Sequence, residues 1–385
     1  MWVSSLSLVR FRNHRQTQLS LGPGVTLVIG PNGQGKTNIV EGLYYLAFLS
    51  SHRVSSDVPL IQQGETTASL GATVHNAERH VTLGLTVNYK GSNKAEVNGS
   101  PSPLREMASW LKVVLFSPED LQLVRGEPSA RRRLLDQQLS LQSAHLSATL
   151  AEYDRVLRQR NTLLKQLRGR LGSSSEETTL QVWTDALVSL AATITHARRQ
   201  WISQMGPLLQ HHYDSIAPGN TSEMSWGAAE AEVFREMPID SVGSLESAYR
   251  QGFTHILRAE RERGQTLLGP HRDDLEFTLN GLPARTHASQ GESWSFALSL
   301  RLATAHYWRN QSAGGDPILI LDDVFSELDH ARRETLARHV VDFEQVIITA
   351  AVADDIPSLL SGHRYRVERG EVTDDSATWP GESNE

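Results

Sequence analysis

The chain has 385 residues, of which 39% are hydrophobic and 21% charged, with 28 glycines, 15 prolines and no cysteine. At ~150 residues per domain this length allows two or three domains, or one large domain with an insertion. The composition excludes wholesale disorder, a collagen repeat, a disulfide scaffold and any thiolate metal site or nucleophile, and the net charge of −7 argues mildly against a general nucleic-acid binder. The first basic residue is Arg10, with no basic segment leading into an apolar one, and no apolar run reaches ~18 residues. A soluble, cytoplasmic protein with no membrane contact is expected.

In chain order, Leu6, Leu8 and Phe11 predict a strand running into Arg12-Asn13-His14, and Leu19 and Leu21 a second short strand. Residues 25–49 read as strand, glycine-rich loop and helix, with Val25–Ile29 as the strand and Ile39, Leu43, Leu46 and Ala47 at helical spacing. Val81, Leu83, Leu85 and Val87 alternate as a half-buried strand, and Ala95–Val97 precedes the hairpin signal Asn98-Gly99. Tyr153, Val156, Leu157, Leu163, Leu164 and Leu167 keep a three/four spacing on a long basic helix. The segment Gly172–Thr179 reads as a polar break, after which Trp183, Leu187, Leu190, Ile194, Trp201, Met205 and Leu208 resume helical spacing. Ser244 is a candidate cap for a third helix carrying Leu245, Tyr249 and Ile256. Leu275, Phe277 and Leu279 before Asn280-Gly281 predict another antiparallel strand decorating the main sheet. Residues 371–385 hold five acids and no base, and are expected to form a disordered tail.

Gly30-Pro31-Asn32-Gly33-Gln34-Gly35-Lys36-Thr37 fits the phosphate-binding pattern G-x-x-x-x-G-K-[ST], with the required strand before it and helix after it. Glycines let backbone N–H groups approach phosphate oxygens without a Cβ in the way, and the helix adds its positive end. Lys36 would reach the β- and γ-phosphates of ATP, and Thr37 would ligate Mg²⁺. Ile318–Leu321 is a buried-strand run ending in Asp322-Asp323. Asp322 would hold Mg²⁺, and Asp323 would orient and polarise the attacking water. Ser289-Gln290-Gly291 opens a further helix shortly before that strand, as the signature loop of an ATP-binding cassette (ABC) does. In such proteins one subunit's phosphate loop is completed by the other's signature loop. ATP-dependent homodimerisation is therefore expected, with two nucleotides sandwiched in a two-fold interface and Asp329 of Ser326-Glu327-Leu328-Asp329 close to it. A transporter subunit predicts Leu-Ser-Gly-Gly-Gln and a switch histidine, which the chain lacks, and a small-substrate kinase has no use for Ser289.

Taken together, these motifs resemble the RecF family of bacterial DNA replication and repair proteins, relatives of the SMC ATPases. The likeness is carried by Phe11-Arg12-Asn13, Gly33–Asn38 with Glu41, Ser51-His52-Arg53, Phe116–Leu121, Arg131-Arg132, Gln159-Arg160-Asn161, Gly269-Pro270-His271-Arg272-Asp273-Asp274, Ser289–Gly291, Leu321–Asp323, Ser326–Asp329 and Asp355-Ile356-Pro357. It implies an α/β ABC-type, SMC-head-like P-loop ATPase domain with an antiparallel β subdomain and an inserted helical lobe. The expected boundaries are 1–125 and 266–370 for the head, 126–265 for the lobe and 371–385 for the tail. It further implies slow, DNA-stimulated ATP hydrolysis, binding to gapped DNA and single/double-strand junctions, and work with RecO and RecR in loading recombinase and in the SOS response. Arg12 and Asn38 are then expected at the nucleotide. Glu292 departs from the family pattern, following the signature glycine where glutamine is usual, and the γ-phosphate switch reads Thr349-Ala350-Ala351, where transporter-type cassettes have histidine and this family tends to threonines.

The charge is uneven. Residues 125–172 hold ten bases and four acids, while 316–385 hold sixteen acids and six bases. Arg131, Arg132, Arg133, Arg155, Arg158 and Lys165 are therefore candidates for a face that tracks DNA phosphates. His271 and Arg272 have two readings: they fix the lobe junction by hydrogen bonds, which is favoured, or they touch nucleotide or DNA. The alternative function is an ABC-type ATPase subunit with a non-DNA partner.

Overall fold

The computed structural model describes residues 1–376 apart from 78, 170–171, 229–233, 235–239 and 312–314. Contacts divide the chain into two units. The first is Met1–Leu121, His211–Gly219 and Trp294–Glu385; the second is Gln122–Gln210 and Asn220–Ser293. Among the described residues no helix is long and apolar enough to cross a membrane.

The first unit contains two six-stranded sheets. One is antiparallel, in the order His14–Ser20, Trp2–Phe11, Thr67–Asn76, Arg79–Asn88, Lys94–Val97, Ser100–Ser102. Its alternating side chains put Leu6, Leu8, Leu70, Val81, Leu83, Leu85 and Val87 in the core. Asn98 and Gly99 both take positive φ and close the last hairpin, as their sequence predicts. In the other sheet His363–Glu368, Gly24–Ile29, Gln345–Ala350, Ile318–Asp322 and Val113–Phe116 lie side by side and run parallel. Its central strands Gln345–Ala350 and Ile318–Asp322 are buried at every position, which explains their unbroken apolar runs. One core joins both sheets to the helix Lys36–Phe48 through residues such as Leu8, Ile39, Leu43, Ile320 and Ile347.

The second unit packs the helices Pro128–Gln142, Ala144–Leu167 and Val242–Arg263 with most of Ser174–Ile216. Five expectations need correction. The polar break is shorter than 172–179, because Ser173 and Glu176 exchange hydrogen bonds and start the 43-residue helix at Ser174. The helix cap is Ser241, not Ser244, which serves as the third residue of the capping box. The strand Asp274–Leu279 does not join the main sheet; it pairs with Ser222–Gly227 and Leu282–Pro283 in a separate three-stranded sheet. By contacts, residues 220–293 therefore stay with the second unit, rather than the head resuming at 266. The tail does not begin at 371, because Glu371–Asp374 pairs with His363–Glu368 across a turn at Arg369–Gly370. Residues 377–385 lie outside the described residues.

Ion pairs and hydrogen bonds brace the second unit from inside. Arg160 falls in the apolar stripe of Ala144–Leu167 and is fully buried. It donates to Glu260 Oε2 (2.6 Å), Thr266 Oγ1 (2.8 Å) and Thr184 Oγ1 (3.0 Å). Arg198 donates to Asp136 (2.5 Å) and Pro270 O (2.7 Å). The Tyr153 hydroxyl lies 2.6 Å from His271 Nδ1, and burial, with the Arg272 and Arg132 charges, brings the His271 pKa down to about 4 despite its backbone hydrogen bond to Thr266. Gly269–Asp274 is thus an internal brace, as expected for His271. Removing one member of a buried pair strands the other charge, so Arg160→Met should destabilise this unit by about 3–5 kcal/mol, and Arg160→Met/Glu260→Leu should recover most of the loss. Denaturant unfolding checks both, and a single-variant loss below ~1 kcal/mol would contradict the pairing.

Candidate nucleotide site

The strand Gly24–Ile29 delivers the loop Gly30–Gly35, in which Gly33 and Gly35 have φ of 80° and 117°. The helix begins at Lys36 with no side-chain cap on its first turn, so its N–H groups remain available to an anion. Lys36 is buried and folded over the loop, with Nζ 3.3 Å from Pro31 O, 3.4 Å from Asn32 Oδ1 and 4.0 Å from Asp323 Oδ2.

Three adjacent parallel strands end beside this loop. Asp322 is in register with Thr349, and Thr349 with Val28. Asp322 Oδ1 accepts from the Thr349 hydroxyl (2.6 Å) and the Thr37 hydroxyl (3.1 Å). Burial pushes the Asp322 pKa up to about 6; the Thr349 and Thr37 hydrogen bonds oppose this, while the charges of Asp323 and Glu119 add to it. Asp323 takes a positive φ of 52°, and its N–H donates to Thr349 O (3.2 Å) and Oγ1 (3.0 Å). Thr349 is buried and joins the two acids. The Thr37 hydroxyl and the Asp322 carboxylate are hard oxygen donors a hydrogen bond apart, a set that fits Mg²⁺.

Arg12 is committed to Glu41, with Nε 2.8 Å and Nη2 2.6 Å from its carboxylate, and also donates to Pro59 O (3.0 Å). Burial favours the neutral form of Glu41, but the hydrogen bonds from Arg12 and Ser51 and the Arg12 and Arg53 charges outweigh it and hold the pKa below the usual carboxylate value. Asn38 donates to Asn13 Oδ1 (2.7 Å) and accepts from Arg53 (2.9 Å). The Glu41–Ser51–Arg53 arrangement was not legible as a site, because it joins residues whose local pattern is ordinary helix and loop.

Ser289, Gln290 and Gly291 belong to the second unit. Ser289 N–H donates to Glu292 Oε2 (2.7 Å) and Glu292 N–H to Ser289 Oγ (3.3 Å), a reciprocal cap. The departure Ser-Gln-Gly-Glu therefore has a local structural use. Asp329 caps the helix His330–Val340 and pairs with Arg332. The basic face needs correction: Arg131 is buried with its Nε and Nη2 on Asp274 (2.8 and 2.7 Å), Arg132 donates to Asp273 O (3.0 Å), and Arg155 forms an exposed pair with Glu152. Arg133, Arg158 and Lys165 are exposed.

A phosphate loop with an acidic strand end beside it, on a parallel sheet next to an antiparallel one, defines an ABC-type P-loop ATPase with an SMC-like head. Residues 2–358 match the RecF/RecN/SMC N-terminal domain family. The chain is 45% identical over 388 residues to the DNA replication and repair protein RecF of Leifsonia xyli subsp. xyli (strain CTCB07), covering 98% of this chain and 100% of that one. It is 44% identical over 390 residues to the protein of the same description from Clavibacter michiganensis subsp. michiganensis (strain NCPPB 382), covering 97% and 96%. The solved structure of the recombination mediator protein RecF with ATP, of the RecFOR pathway, matches with TM-score 0.87 at 25% identity over 97% of each chain. An Smc head bound to the C-terminal winged-helix domain of ScpA matches at TM-score 0.55 and 15% identity over 98% of each chain, a likeness of fold. The chain belongs to the RecF family of DNA replication and repair proteins.

The raised Asp322 pKa sets a pH dependence. Between its ordinary value of 3.8 and about 6 the folded protein keeps a proton that the unfolded chain has released, so this group costs stability as pH rises through that window. Without nucleotide or divalent metal, Asp322→Asn should exceed the wild type in stability by about 1–3 kcal/mol above pH 7, with the gap closing near pH 4. Denaturant unfolding at several pH values measures this, and a gap that does not change with pH would contradict it.

Proposed function

We propose that this protein is an ATP-driven DNA-binding switch of recombinational repair. Two copies close on two ATP molecules; the closed dimer holds gapped DNA and single/double-strand junctions, and with RecO and RecR it helps load recombinase in gap repair, replication and the SOS response. Hydrolysis is slow and DNA-stimulated, resets the switch, and involves no nuclease chemistry. The protein works in the cytoplasm without membrane attachment. The observation that carries this reading is Asp322 accepting from Thr37 and Thr349 beside the loop that Lys36 folds over.

In this reading the amides of Gly30–Asn38 and the Lys36 ammonium take the phosphates. Thr37 and Asp322 hold Mg²⁺, which when bound offsets charge on the phosphate oxygens. Asp323, held by its N–H to Thr349, orients the attacking water. Arg12, fixed by Glu41, stays beside the nucleotide. Ser289, Gln290 and Gly291 of the second copy face the γ-phosphate; Ser289 is held in place by its reciprocal cap with Glu292. Asp329 lies near the interface, and Thr349 couples the state of the site to the two acids. The alternative, an ABC-type ATPase with a non-DNA partner, keeps the dimer and loses the effect of DNA.

Two sets of variants test this. Ser289→Arg should bind ATP like the wild type but neither dimerise in sedimentation nor hydrolyse; normal turnover sinks the composite site. Lys36→Ala should lose nucleotide binding, and Asp323→Asn should bind ATP, accumulate as dimer and turn over about 100-fold more slowly. For DNA, replacing Arg133, Arg158 and Lys165 together by Glu should weaken binding at least about tenfold and flatten its salt dependence. Unchanged affinity removes this face from the reading.

A further inference from the structure

Two segments outside the phosphate loop and the acidic strand end brace that loop. The carboxy-terminal hairpin turns at Arg369 and Gly370, both at positive φ (52° and 81°), the turn geometry that suits strand twist. Gly370 N–H donates to Gln34 O (2.9 Å), and Arg369 N–H to Gln34 Oε1 (2.7 Å). From the amino-terminal hairpin, Asn13 Nδ2 also donates to Gln34 O (2.8 Å). His14, fully buried, is wedged between the pieces: Nε2–H donates to Gly35 O (3.0 Å), and Nδ1 accepts from the Thr17 hydroxyl (2.9 Å), which itself lies beside Gly370 O. The fit is closed. A Cβ on Gly370 would lie 2.5 Å from Asn13 O, and one on Gly35 would lie 2.7 Å from the Asn13 amide.

A loop that turns its N–H groups toward an anion must satisfy its carbonyls elsewhere. Here Gln34 O takes its donors from Asn13 and Gly370. We propose that His14, Asn13 and the Arg369–Gly370 turn are positioning residues that hold the phosphate loop in its nucleotide-binding shape before the nucleotide arrives, so that the carboxy-terminal hairpin is a working part of the site. This rests on the reading of the loop as an ATP site. None of these groups touches the reacting atoms; their effect is preorganisation, which acts on binding.

ATP and ADP affinity and steady-state hydrolysis, measured on the full chain, test the proposal. His14→Ala and Gly370→Val should weaken ATP and ADP alike and raise KM about tenfold, with kcat within about threefold. His14→Gln, which keeps a donor for Gly35 O, should recover much of the affinity. Wild-type affinity in both disruptive variants, or a loss confined to kcat, overturns the proposal. If those variants do not fold, Asn13→Ala carries the test from an exposed position: a weaker loss of the same kind supports the proposal, and unchanged KM overturns it. A folded wild type that binds no ATP overturns the functional reading as well, whereas wild-type binding matched by all variants overturns this proposal alone.

Discussion

One carboxylate oxygen organises the ATPase unit. Asp322 Oδ1 receives the hydroxyl of Thr37 from the loop helix and that of Thr349 from the strand between loop and acid. The contact exists because three neighbouring parallel strands end at the same level of the sheet. Burying that carboxylate is unfavourable, the two hydroxyls offset part of the cost, and the remainder appears as a pKa near 6. A divalent cation placed there supplies the missing opposite charge, which is how a site can be built to prefer Mg²⁺ and nucleotide over the empty state.

The second unit solves a different problem. Its core includes arginines as well as leucines, and Arg160 and Arg198 are almost fully buried. Each needs an acid and further acceptors, because an unpaired charge in that position is prohibitive. Glu260, Asp136, Thr266 and the Pro270 carbonyl meet that need. Residues of two family motifs, Gln159-Arg160-Asn161 and Gly269–Asp274, supply this internal geometry: Arg160 and Asn161 bond Thr266, and the Pro270 carbonyl accepts from Arg198.

The same pairing changes the meaning of the charge pattern. Ten bases against four acids in residues 125–172 suggest a broad cationic face. Arg131, Arg132 and Arg160 are spent on Asp274, the Asp273 carbonyl and Glu260, and Arg155 on Glu152. Among the described residues, Arg133, Arg158 and Lys165 are the exposed candidates without such partners, so the proposed DNA contact rests on fewer cations than the count suggests.

Local pattern was sufficient for much of this protein. Alternation identifies the antiparallel strands, unbroken apolar runs the buried parallel ones, and the glycine spacing before Lys36-Thr37 the phosphate loop, because each is written in consecutive residues. What consecutive residues cannot carry is partnership. That Thr349 holds Asp322, that Glu41 holds Arg12, and that Arg131 is committed to Asp274 depend on strands and helices far apart in the chain meeting in one register. The same holds for the tail that becomes a hairpin strand and for the strand Asp274–Leu279 that leaves the main sheet. The sequence by itself determined the fold class and the chemistry of the loop and acids. Tertiary structure decided which polar groups are already occupied, because burial drives most buried polar groups to find a partner, and only packing says which one.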